Sequence, residues 1–203
     1  MRKPWTEIDG DAPRPGLTEL TTSQQRIRFR PTSVTSVAAD ELLRQFRLIL
    51  DNGGAHLATF TVEDLDDAGE WFLSRNHFEE YEFVQCLIAS DGLSEALPMV
   101  VEGGVNRQVR FSYSSPLTLD GDLAAQLTWG GAYTSFGAGG AVAKRIGAAF
   151  SADVIGDRYE DFRIDHTHES WSPWFFDVAW DRTWVITDRR DQRVTLLCLT
   201  DTD

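Results

Sequence analysis

Apolar residues recur at the spacing of an α-helix in four segments of the chain. The clearest is residues 37–50, where positions 39, 42, 43, 46, 49 and 50 form one apolar face. Ser36 precedes this segment as a helix cap, and Asn52-Gly53-Gly54 follows it as a stop. The other three predicted helices lie between Thr61 and Asn76, at residues 119–128 and at residues 141–150.

Strands are predicted where apolar residues alternate with polar ones or follow one another without a break. Ile27 and Phe29 alternate with arginines, and residues 83–89 are almost all apolar, which is typical of a central strand and here precedes an Asp91-Gly92 turn. Further strands are predicted at residues 56–62, 97–102, 106–114, 184–187 and 194–200, of which 97–102 and 106–114 form a hairpin around Gly103-Gly104. Because helices and strands follow one another without regular alternation, the predicted fold class is α+β, a mainly antiparallel sheet packed by about four helices.

Length and proline content predict how the chain is divided. Its 203 residues, 42% of them hydrophobic, suffice for one domain with a real core. Residues 1–24 hold three of the seven prolines and predict an irregular N-terminal arm, followed by a single α+β domain over residues 25–203. The N-terminal sequence has no apolar stretch of the kind found in a secretory signal, and no run approaches the ~18 apolar residues of a membrane span, so we expect a cytoplasmic protein.

The charge of the chain excludes several kinds of partner. A net charge of -13 opposes binding to nucleic acid or to anionic membranes, and it favours a basic protein partner. The charge is concentrated, because residues 63–82 contain eight acidic residues and only one basic residue, Arg75. This segment is therefore the first candidate for a binding surface.

Cysteines and histidines give the sequence little catalytic chemistry. Cys86 and Cys198 both lie in apolar runs and are expected to be buried strand residues rather than a redox pair.

His166 and His168 stand two residues apart and would point to the same face of a strand, so they are candidates for a metal site and for a metal-dependent hydrolase. The other ligands would have to come from elsewhere, and we predict neither a bound metal nor another cofactor.

Aromatic residues are dense near the C-terminus. Four of the seven tryptophans fall within fourteen residues, at positions 171, 174, 180 and 184. Most of them are expected in the core, but Trp171 or Trp174, beside Pro173, is an alternative anchor for a partner. A pocket for a small ligand around Trp174 and Trp184 is a third alternative.

Residues 42–114 resemble the SUKH superfamily of bacterial immunity proteins. The resemblance lies in a helix that ends in Asn-Gly-Gly, a strand, and a helix that begins with an Asp-Leu element, here LLRQFRLILDNGGAHLATFTVEDL. The strand and turn CLIASDG and a further hairpin follow. The resemblance implies an α+β fold without catalysis, whose acidic surface masks a toxin, often a nuclease.

An independent electrostatic consideration agrees with this implication. A nuclease site is basic where it meets phosphate, so an inhibitor that covers it must present carboxylates. We therefore predict a non-catalytic protein that binds a basic partner, with an enzyme as the less favoured class. The predicted contacts are Asp64, Asp66, Asp67, Glu70, Trp71, Glu79, Glu80 and Glu82.

Overall fold

A computed structural model describes residues 4–203 of the chain and contains one six-stranded sheet flanked by helices. The strands are β1 Arg28–Thr32, β2 Gly54–Glu63, β3 Ser112–Ser114, β4 Phe162–Thr167, β5 Arg182–Asp188 and β6 Arg193–Thr200. The helices are α1 Leu17–Arg26, α2 Val37–Arg47, α3 Asp67–Ser74, α4 Phe83–Ile88, α5 Asp91–Ala96, α6 Pro98–Val101, α7 Leu119–Trp129 and α8 Gly140–Val154. Short 3-10 turns occur at Pro116–Thr118 and Tyr159–Asp161.

Every neighbouring pair of strands in the sheet is antiparallel, in the order β1-β2-β6-β5-β4-β3. Strands β5 and β6 lie in the middle, and almost all of their residues are buried because helices cover both faces of the sheet. Successive side chains of β6 point to opposite faces, so Leu196 and Cys198 pack on one side while Leu197 and Leu199 pack on the other. The chain is therefore a single α+β domain with a core on each face of one sheet.

The two faces carry different layers. Helices α2, α7 and α8 cover one face, which we call the α7 face, together with Ile164, Trp184 and Ile186 of the sheet. The N-terminal segment, α1 and α3–α6 cover the other face, which we call the α3 face. No helix among residues 4–203 is long and apolar enough to cross a membrane.

Several helix and strand predictions are confirmed. The Ser36 hydroxyl accepts a hydrogen bond from the amide of Ala39 at 2.9 Å and caps α2 as expected. Asn76 adopts φ +62°, the left-handed conformation predicted for the residue that stops the next helix. Helices α7 and α8 and the final hairpin of β5 and β6 also occupy the predicted regions, although α8 extends to Val154.

Three strand predictions in the middle of the chain are wrong. Residues 83–88 form helix α4 instead of a central strand, and it is apolar on most sides because it is almost wholly enclosed by the core. The Asp91-Gly92 turn is instead the start of α5, capped by Ser90. The hairpin over 97–102 and 106–114 does not form, since α6 occupies Pro98–Val101 and only Ser112–Ser114 is a strand, paired with β4.

Gly92, in the segment predicted as a turn, lies very close to the backbone of β1. A Cβ atom on Gly92 would lie 1.7 Å from the carbonyl oxygen of Phe29 in β1. Only glycine therefore lets α5 pack this closely against the edge strand.

The prediction of an irregular N-terminal arm over residues 1–24 is wrong for residues 17–24, because α1 extends over Leu17–Arg26. The segment before α1 is anchored by Trp5, whose side chain is fully buried and makes edge-to-face contacts with Phe78 and Phe83. The helix predicted between Thr61 and Asn76 begins later than expected. Strand β2 continues to Glu63, and α3 is capped by Asp66 rather than by Thr61.

Both cysteines are buried, as predicted, but only one of them is in a strand. Cys198 lies in the central strand β6, whereas Cys86 lies in α4. Burial raises the pKa of Cys86 to about 11 and raises the pKa of Cys198 still further. Both side chains are thus neutral, unreactive core groups near pH 7.

Candidate functional site

The acidic segment of the sequence divides into two groups in the structure. The first group surrounds the N-terminal end of α3 and includes residues from the N-terminal segment and α1. Two cavities of about 320 and 370 Å³ adjoin here and share Asp67. The carboxylates that line them are Glu7, Asp9, Glu19, Asp66, Asp67 and Glu70, a set that we call the acidic face.

Positive charge is scarce on the acidic face. Among the described lining residues, Arg75 is the only cation, and Arg26 lies 3.9 Å from the Asp66 carboxylate as a largely exposed partner. Asp66 also caps α3 by accepting a hydrogen bond from the amide of Gly69 at 3.0 Å. An exposed ion pair of this kind contributes little stability and leaves the negative potential of the face largely intact.

Trp71 lies in a wall of the acidic face and is half-buried. Its indole N–H donates to the carbonyl oxygen of Ala12 at 3.0 Å, which ties the N-terminal segment to α3. The His77 ring stacks on it at 5.6 Å and the Arg75 guanidinium lies 4.5 Å from its centre. The side chain predicted as an anchor is therefore held in place by its own chain and presents only part of its surface.

The second group of predicted contacts is ion-paired. Glu79 contacts Arg163, Glu80 contacts Arg14, and Glu82 lies 3.8 Å from Arg107. Each arginine offsets the charge of its partner, so this group supplies less of the external field than the acidic face. Asp64, also predicted as a contact, is exposed in the loop between β2 and α3.

Sequence reasoning missed Glu7, Asp9 and Glu19 as members of the acidic face. These residues lie more than 40 positions before α3 and join it only because Trp5 and α1 pack onto the same side of the sheet. These three residues lie in the segment that was predicted to be an irregular arm. Because such an arm has no fixed neighbours, the sequence could not place them beside α3.

A buried ion pair lies beneath Glu79. The Arg163 guanidinium donates to both carboxylate oxygens of Asp165, at 2.8 and 2.7 Å, and both side chains are less than 5% exposed. Burial lowers the pKa of Arg163, but its hydrogen bonds to Asp165 and Glu79 outweigh burial and leave this pKa above its ordinary value. The pair therefore fixes the position of Glu79 from the sheet below it.

His166 and His168 lie on the same face of the sheet, as predicted, with ring centres 5.9 Å apart. The cationic side chain of Arg182, in β5, lies between the two histidines and α7. It contacts the Nε2 atom of His168. Among residues 4–203 no group of three or more histidine, cysteine or acidic side chains is placed to hold a metal ion.

The tryptophans predicted as alternative sites are separated by the sheet. Trp171 is fully buried and donates its indole N–H to the Thr183 hydroxyl at 2.8 Å, so it belongs to the core rather than to an exposed anchor. Trp174 is half-buried against the core of the α3 face, beside His56 at 5.2 Å. Trp184 lies in the core of the α7 face, and the predicted pocket between Trp174 and Trp184 does not form.

Comparison of the chain with protein-family models, with curated proteins and with solved structures finds no significant match. The function proposed below therefore rests on the contacts, burial and charge of the chain itself, together with the resemblance carried by residues 42–114.

Proposed function

We propose that this protein is a non-catalytic binding protein that receives a basic protein partner on its acidic face. The observation that carries the proposal is the convergence of six carboxylates, from three separate parts of the chain, around two adjoining concave surfaces that residues 4–203 line with one cation. A concave acidic surface accommodates protruding lysine and arginine side chains, and charge complementarity of this kind speeds association and selects the partner.

A nuclease toxin is the partner class that the proposal favours. The resemblance to the SUKH superfamily rests on α2, the Asn-Gly-Gly segment, β2 and α3, because the strand and the hairpin expected after them do not form. The resemblance implies inhibition of a toxin, and a nuclease presents a basic surface to its phosphate substrate. Carboxylates that cover this surface compete directly with the nucleic acid. The acidic face would then act by occlusion, which requires affinity but no reactive group.

The metal-dependent hydrolase is the less favoured alternative. His166 and His168 adjoin the Arg182 guanidinium, whose positive charge opposes a divalent cation at the same place. The Asp122 carboxylate lines the same cavity, but among the described residues no group of three histidine, cysteine or acidic side chains is placed to hold a metal ion.

Charge reversal on the acidic face tests the proposal. The triple variant Glu7→Lys, Asp9→Lys and Asp67→Lys changes three exposed carboxylates that line the first cavity. The probe is a basic nuclease domain inactivated at its catalytic residues, and its affinity is measured by titration calorimetry at low and moderate salt. We expect the variant to bind at least about tenfold more weakly, with a shallower dependence on salt.

A matched variant controls for net charge. Glu95→Lys, Glu102→Lys and Asp157→Lys also reverse three exposed carboxylates, but none of these lines the acidic face. This control should lose less than about threefold in affinity, because distant exposed charges are screened. Equal losses in both variants, or no loss in either, would contradict the proposal once thermal unfolding has shown that both are folded.

A further inference from the structure

A second concave site lies on the α7 face of the sheet, remote from the acidic face on the opposite side. It is a cavity of about 250 Å³ between α7 and the paired strands β4 and β5. Its walls include Gln126 and Trp129 of α7, His166 of β4 and Arg182 of β5. The register that places Thr167 opposite Thr183 brings the following residue, His168, beside Arg182.

Arg182 is a buried cation without an ion pair, since the Asp122 carboxylate acts on it only from across the same cavity. The residue is 7% exposed, and no carboxylate among residues 4–203 lies within 4.0 Å of its guanidinium. Its Nε atom donates to the Gln126 carbonyl oxygen at 3.0 Å and its Nη1 atom contacts the Nε2 atom of His168, so neither contact is with a carboxylate. Burial of an unpaired charge is costly, and arginines are buried in this way where a carboxylate or phosphate completes the site.

Two further polar atoms at the same cavity lack partners. Because the Gln126 oxygen faces Arg182, its amide nitrogen must be the free donor, and this Nε2 atom is buried without a hydrogen bond. Gln126 itself is only 3% exposed and lines the cavity. The Nδ1 atom of His166, another lining residue, is likewise buried and unpartnered. Orphaned buried polar groups are rare in native proteins, and two of them beside a buried arginine at one cavity indicate a missing polar occupant.

We propose that this cavity binds a small organic monocarboxylate that carries a flat apolar group. The planar carboxylate matches the Arg182 fork and the Gln126 amide donor. The Trp129 ring, 65% exposed, lies 5.3 Å from the Arg182 guanidinium at the mouth, and Trp184 forms part of the wall, so aromatic surface is available to a flat group. The Asp122 carboxylate at the rim selects a single negative charge over a dianion such as phosphate.

Benzoate serves as the probe for this site, with benzyl alcohol and inorganic phosphate as comparison ligands. Binding to the full chain is measured by titration calorimetry and by ligand-observed NMR. We expect benzoate to bind, and benzyl alcohol and phosphate to bind at least about tenfold more weakly, because each lacks one of the two recognition features.

Two variants locate the binding. Arg182→Met should abolish benzoate binding, and because it also leaves the buried Gln126 carbonyl oxygen without its donor, thermal unfolding first establishes that the variant is folded. Trp129→Ala changes an exposed residue that folding does not need, and it should weaken benzoate several-fold while leaving the weak binding of acetate unchanged. The matched control Arg193→Met removes an exposed arginine from β6 and should bind like the wild type.

Three results would overturn the proposal. They are an absence of benzoate binding to the wild type up to about 50 mM, equal affinity in Arg182→Met, and tighter binding of phosphate than of benzoate. If Arg182→Met fails to fold, the Trp129→Ala comparison of benzoate with acetate still decides the matter, because an unchanged benzoate affinity there places the ligand elsewhere.

Discussion

Replacement of Arg163 by methionine should destabilise the protein strongly. The change removes both hydrogen bonds to Asp165, at 2.8 and 2.7 Å, and leaves that carboxylate 2% exposed with no countercharge. Loss of one partner from a buried pair costs about 3–5 kcal/mol, whereas the rim contact with Glu79 adds at most about 1 kcal/mol. We therefore expect the free energy of unfolding to fall by about 4 kcal/mol.

Denaturant unfolding followed by tryptophan fluorescence measures this change. The double variant Arg163→Met with Asp165→Leu should recover most of the lost stability, because no charge is then buried alone. Glu79→Gln is the matched control for the exposed part of the contact and should cost less than about 1 kcal/mol.

The effect of pH gives a second readout of the same change. Burial raises the pKa of Asp165, and removal of Arg163 raises it further, so the folded variant takes up a proton more readily than the unfolded chain. The deficit of the Arg163→Met variant should therefore be larger at pH 8 than at pH 5. A loss below about 1 kcal/mol at pH 8, or a double variant as unstable as the single one, would refute this reasoning.

Two further changes follow from buried groups elsewhere. Asp201→Ala should lower the free energy of unfolding by about 2 kcal/mol, measured in denaturant, because its fully buried carboxylate accepts hydrogen bonds from the amides of Asn52 at 2.8 Å and Ala132 at 2.7 Å. Asp203→Ala, which changes an exposed residue, is the control. Equal losses of stability in the two variants would contradict a stabilising role for the Asp201 hydrogen bonds. Cys86 and Cys198 should not react with a bulky thiol reagent at pH 8 until the protein unfolds, and mass spectrometry measures this labelling. Rapid labelling of both cysteines in the native protein would show that the core is open to the reagent.

Local signals predicted the parts of the fold that local chemistry determines. Helix α2 has a strong cap at Ser36 and one apolar face, so its period is unambiguous. The run at 83–88 is apolar throughout, and neither the period of a helix nor that of a strand is visible in such a run. Its helical structure follows from tertiary packing, which encloses the segment, and not from its pattern.

The candidate sites show the same division between local and distant information. The shared face of His166 and His168 follows from strand geometry and was predicted. Arg182 and Gln126, on which the proposed carboxylate site depends, come from another strand and from a helix some 40 residues before His166 in the sequence. The acidic face likewise depends on an N-terminal segment that only the fold brings to α3.

The central position of β6 determines when the sheet can be completed during synthesis. Strands β1 and β2 cannot join β5, β4 and β3 until residues 193–200 have left the ribosome, because β6 alone connects the two groups. Gly54 must then find Thr200 across most of the length of the chain. Until that moment the inner edges of β2 and β5 stay unpaired, and such edges invite pairing with other chains. The nascent protein is thus most exposed to aggregation just before its last strand emerges, when chaperones that shield open sheet edges have most to contribute.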